Sequence, residues 1–208
     1  MVARLSRIAL AGALAALAVP LAVPATAQLA NGSPGYQFRD AVKNEKGQEM
    51  IALLAKPGNR LINSQDPLTG EAALHIVVKR GDSKYLSFLL EQDDVDPNIK
   101  DAQGNTPLMY AVRGGYEGLV LLLLKAKANP NIANNDGDIP LMLAVTQRDV
   151  SMVRDLLSGG ADPDKTDRAG RSPRDIAAGN AARDPVMASL FDAIPKKSRR
   201  PVSGPTLR

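Results

Sequence analysis

The chain has 208 residues, 23% of them charged, with no cysteine and a single histidine. That composition excludes disulfides, thiolate catalysis and thiolate metal sites, and gives the histidine no second imidazole with which to hold a metal. The formal net charge of +4 is unevenly placed: setting aside Arg4 and Arg7 at one end and Lys196, Lys197, Arg199, Arg200 and Arg208 at the other leaves nineteen basic against twenty-two acidic residues, near −3, so the basic isoelectric point does not argue for a nucleic-acid partner.

Residues 1–27 open with Arg4 and Arg7, continue in an apolar stretch from Ile8 to Val23, and end in Pro24-Ala25-Thr26-Ala27. A charged start, a short apolar middle and a small-x-small ending are the features of a cleavable secretory signal, with cleavage expected between Ala27 and Gln28. A transmembrane anchor is the competing reading, but Pro20 interrupts the stretch, which falls short of the roughly 20 residues a spanning helix needs. No stable membrane insertion is therefore expected after cleavage. The alanine-rich style resembles bacterial signals, which points to the periplasm or secretion. A short linker follows at 28–35.

From 36 to 66 the apolar residues Phe38, Val42, Met50, Ile51, Leu53 and Leu54 keep the spacing of two helices without any further motif, which predicts a capping unit. Beyond it the chain repeats itself with a period of about 33 residues. Gly70, Gly104, Gly137 and Gly170 mark one register, followed four positions later by Leu74, Leu108, Leu141 and, unfaithfully, Arg174. Asp96-Pro97-Asn98, Asn129-Pro130-Asn131 and Asp162-Pro163-Asp164 mark a second register, and Leu89-Leu90, Leu123-Leu124 and Leu156-Leu157 a third.

In the copy at 101–133, Thr106 offers a hydroxyl to cap a helix and Pro107 fits its first turn, where an N–H has no partner. Leu108, Ala111 and Val112 then share one helical face. After Gly114-Gly115, Leu119, Leu122 and Leu123 share another. Two short antiparallel helices result, too brief to stand alone, so neighbouring copies must complete the core. The copy at 67–100 has Ala72-Ala73 where Thr-Pro is expected, which predicts a less well-defined helix start. The copy at 134–166 is complete. In the last, 167–194, Arg174 stands in place of the buried leucine, reading as a polar outer face, and Pro185 restarts the second helix with Asp184 as cap. Residues 195–208 are rich in proline, serine and basic residues without apolar periodicity, and are expected to be a disordered tail.

The glycine turn, the Thr-Pro helix start, the leucine pairs and their shared period resemble the ankyrin repeat, over Asp66 to Ile194. The resemblance implies an all-α solenoid of about five units, including degenerate caps at both ends. It also implies linkers that project as β-hairpin fingers, a structural hydrogen bond from His75 between neighbouring turns, and a concave face made of finger tips and first helices that binds another protein.

No other chemistry competes. There is no Walker-type phosphate loop and no Gly-x-Ser-x-Gly elbow, and Gly159-Gly160 reads as a helix stop. Asp93-Asp94-Asp96 and Asp162-Asp164 lack the spacing of a calcium loop and coincide with the repeat's own turn. No enzyme activity, cofactor or metal is expected, and a monomer is. The positions left free by the repeat framework are Glu71, Lys79 and Arg80; Ala102, Gln103, Asn105 and Arg113; Asn135, Asp136, Asp138, Thr146 and Gln147; then Arg168, Arg171 and Asn180. Lys79, Arg80 and Arg113 are expected to align as a basic strip, with Glu71 and Asp138 on the finger side, a mixed face suited to an acidic patch on a protein partner. The expected function is that of a non-catalytic adaptor in the periplasm; an inhibitor or immunity-type protein blocking a secreted enzyme or toxin would use the same face.

Overall fold

Six of the helices begin where the N-cap side chain takes up an orphan backbone N–H. In the computed structural model, which describes residues 32–56 and 61–196, Ser33, Asp82, Thr106, Asp149, Ser172 and Asp184 each accept the N–H three positions on. The expected signal segment and the tail beyond Lys196 lie outside the described residues. The helices are α1 (Pro34–Lys43), α2 (Gly47–Leu54), α3 (Ala73–Arg80), α4 (Ser83–Leu90), α5 (Pro107–Arg113), α6 (Glu117–Lys125), α7 (Pro140–Gln147), α8 (Val150–Ser158), α9 (Pro173–Gly179) and α10 (Pro185–Asp192), with one 3₁₀ turn at Leu61–Asn63. Asp184 caps α10 as expected. Helix α3 starts in register despite Ala72, because His75 Nδ1 reaches back to accept the Ala72 N–H at 3.1 Å.

The helices form two layers. The first helices, α1, α3, α5, α7 and α9, pack each on the next, and α4, α6 and α8 do the same behind them. Leu74, Leu108 and Leu141 are buried between the layers, and of each leucine pair the first member (Leu89, Leu123, Leu156) is fully buried while the second packs at the edge. Burial of such a side chain contributes about 1.5–3 kcal/mol. The capping unit keeps Phe38, Val42, Met50 and Leu53 in this core, whereas Ile51 lies exposed on the outer layer.

Two hydrogen-bonded ladders run along the stack. In one, the amides of Asn63, Asn98 and Asn131 accept the backbone N–H of Asp96, Asn129 and Asp162 in the following copy, at 2.9, 2.7 and 2.7 Å. In the other, the tips of the second and third fingers each bond to the one before: Ala102 N–H to Thr69 O and Asn135 N–H to Gln103 O, both at 3.0 Å. Gly104 and Gly137 hold these tips with φ of +78° and +94°, the left-handed conformation the spacing predicts. The fingers are not β-hairpins, however. Among the described residues there is no strand: each finger is a tight turn closed by a backbone bond, as Asp101 N–H to Asn105 O at 3.0 Å, and by a carboxylate or amide, as where Asp101 accepts from Gln103 and Asn105 at 2.9 and 2.8 Å.

Arg174 also departs from expectation. It is only 7% exposed, and its guanidinium meets Asp164 at 2.7 Å and donates to the Phe191 carbonyl. The substitution for leucine gives the last unit a buried ionic tie, not a polar outer face.

Candidate interaction face

The first helices and the finger turns lie along one side of the stack, and Tyr110 of α5 is the centre of its best-organised region. The Lys79 ammonium lies 4.1 Å from the centre of the Tyr110 ring and the Arg113 guanidinium 5.4 Å from it. The phenol donates to Asp101 at 2.6 Å, and the His75 ring meets Tyr110 edge-on at 5.9 Å. Burial and the bond to Asp101 push the Tyr110 phenol up. Burial works against the Lys79 ammonium, but its ion pair with Glu71 and its contact with Tyr110 outweigh that and hold its pKa above the ordinary value. Lys79 is thus a fixed positive charge, oriented from two sides.

His75 is the hinge pin beneath this platform. Its Nδ1 accepts from Ala72, so the proton sits on Nε2 and is donated to Asn105 O at 3.1 Å in the next copy. The structural bond between neighbouring turns is therefore present. Burial holds the imidazole pKa below its ordinary value, keeping it neutral.

The other sequence-chosen positions divide. Arg113, Gln103, Asp136, Thr146, Gln147, Arg168 and Arg171 are exposed along this side, with Asp138 and Glu71 half-buried. Some are already engaged: Gln147 donates to Arg113 O at 3.0 Å, Thr146 to Met142 O at 2.8 Å, and Arg171 pairs with Asp167 at 3.0 Å. Asn105 is a correction. It is 2% exposed, bonded to Asn134 and Gln103 and holding His75 on its carbonyl, so it carries the fold. Arg80 is another, since it leaves the expected basic strip to donate to Val42 O at 3.0 Å and to Asp82 at 2.9 Å, clamping α3 to the end of α1.

Sequence reasoning passed over Tyr110, although it stands three residues before Arg113 and so shares its helical face. It also passed over a cavity of about 540 Å³ between α1, α3 and the Asp66–Glu71 finger, lined by Tyr36, Lys43, Ile76 and Lys79 among others. Among the described residues no cluster of histidine and carboxylate groups is placed to hold a metal, and no helix is long and apolar enough to cross a membrane. In comparison with known families, residues 38–134 match the model for ankyrin repeats in three copies, and residues 136–168 match a further single ankyrin repeat.

Proposed function

This chain belongs to the ankyrin repeat family, whose repeats mediate protein–protein interaction, and from that premise we propose that it is a non-catalytic adaptor that binds a protein partner in the bacterial periplasm. The observation that carries the binding face is the Tyr110 platform, where two cations from successive copies are held against one ring on the side of the first helices. Such a surface is ordered before any partner arrives, so association loses little conformational freedom. The compartment rests on the sequence of residues 1–27, and the mature chain is expected to begin at Gln28.

Site-specific photo-crosslinking in intact cells tests the face. A benzophenone side chain in place of Arg113 should yield one discrete adduct, and the same group in place of Leu121, which is 50% exposed on the outer helix α6, should not. Adducts from Leu121 alone would move the interaction to the opposite side of the stack. Intact-mass measurement on protein from the envelope fraction tests the compartment, and a chain retaining Arg4 would remove it.

A further inference from the structure

The concave face is not uniform along its length, and the differences specify a partner. Most charges of its amino-terminal half cancel within the protein: Arg39 faces Asp66 at 3.9 Å, Lys46 faces Asp40 at 3.2 Å, and Lys79 holds Glu71. Lys43 at one end of the cavity and Arg113 on the Tyr110 platform have no ion pair among the described residues. Between them the cavity presents the Tyr36 ring and Ile76.

The finger tips show the same asymmetry. Two residues before each turn glycine stand Leu68, Ala102, Asn135 and Arg168, so the tips pass from apolar to charged along the stack. Leu68 is 89% exposed, beside a finger whose backbone is already fixed by Asp66. An isolated exposed leucine is ordinary, but this one stands next in the chain to Thr69, which lines a cavity with an exposed tyrosine in its wall.

We infer that the partner docks on the amino-terminal half of this face, from α1 to α5, through a segment carrying an apolar side chain flanked by carboxylates. The apolar group enters the cavity against Tyr36 and Ile76, with Leu68 at the neighbouring finger tip offering further apolar surface, and the carboxylates meet Lys43 and Arg113. This rests on the protein-binding reading above and narrows it to one half of the face and one chemistry.

The test is selection of a random dodecapeptide library, displayed on phage, on the purified full-length chain, followed by fluorescence polarisation with the synthesised winners. Peptides with one aromatic or aliphatic residue bracketed by Asp or Glu should be enriched. Their affinity should fall about tenfold or more for Lys43→Glu with Arg113→Glu, should fall for Leu68→Ser and for a peptide whose apolar residue is replaced by serine, and should hold for Arg168→Glu. Circular dichroism of each variant keeps loss of binding separate from loss of fold. Winners that are basic or uncharged, or that respond to Arg168→Glu alone, overturn this inference and leave the concave face as the binding site. Winners that no concave substitution moves, or a selection that enriches nothing, overturn both.

Discussion

His75 has one tautomer open to it, and that makes it a pH-sensitive joint between two copies. Protonation at Nδ1 would break its bond from Ala72 N–H and place a charge in a buried site. Because burial lowers its folded-state pKa, the unfolded chain takes up the proton first, as pH falls through about 6.5. The stability it contributes is complete above that pH and declines below it. The melting temperature of the wild-type chain should therefore drop between about pH 7.5 and about pH 5, and that of His75→Gln should drop less. Asp101, also held below its ordinary value because bonds from Tyr110, Asn105 and Gln103 outweigh its burial, contributes a separate loss only below about pH 4. A second prediction at this scale concerns two glycines with the same φ of +78°. A Cβ on Gly104 would lie 2.5 Å from the Asn135 amide oxygen and 2.8 Å from its backbone nitrogen, whereas a Cβ on Gly170 meets nothing within 4 Å. Gly170→Ala should cost about 1 kcal/mol by backbone strain alone and Gly104→Ala about 2–3 kcal/mol, as read from denaturant midpoints. Equal costs would mean that finger-to-finger contact adds nothing. The turn glycines were legible from their spacing. Asn105 was not, because the bonds that bury its side chain and carbonyl reach Asn134 and His75, twenty-nine and thirty residues away.

Helix positions were the most legible part of the chain, since hydroxyl or carboxylate caps, first-turn prolines and helical apolar spacing all act within a few residues. Thr106→Ala should remove the cap of α5 at a cost of about 1 kcal/mol. Leu123→Ala, in the layer shared by α6 and its neighbours, should cost about 2–5 kcal/mol. Arg174 was misread because its partners are set by packing: Asp164 lies ten residues earlier and the Phe191 carbonyl seventeen later. Asp164→Ala strands a buried guanidinium and should cost about 1–3 kcal/mol, while Arg174→Leu, which restores the residue type of the other copies, should be closer to neutral. Thermal melts of the two variants check the order. The hairpin strands fail to appear because each finger is short: one backbone pair closes it, as Asp101 N–H to Asn105 O, and no ladder extends from that pair.

At the scale of the whole molecule the main helix contacts among the described residues join each copy to its neighbours, so stability is distributed along the stack as a chain of interfaces. Phe191→Ala should open α9 and α10 to hydrogen exchange without accelerating exchange in α3 to α6; uniform acceleration would show a single cooperative unit instead. The period and the layers were legible because they follow from repetition. The Tyr110 platform was not, because it is assembled from one copy's ring and another copy's lysine. The asparagine ladder carries one more consequence. Asn63, Asn98 and Asn131 address the main chain of the next copy, which every copy supplies alike, so this ladder would still close if a middle unit were duplicated or excised, although side-chain ties such as Lys79 to Tyr110 would not. Asp164, at the same place in its own copy, faces a guanidinium that no earlier copy offers, so a middle unit put in place of the last would lose that tie, and the end of the stack is specified by a pair of side chains where the middle is specified by backbone.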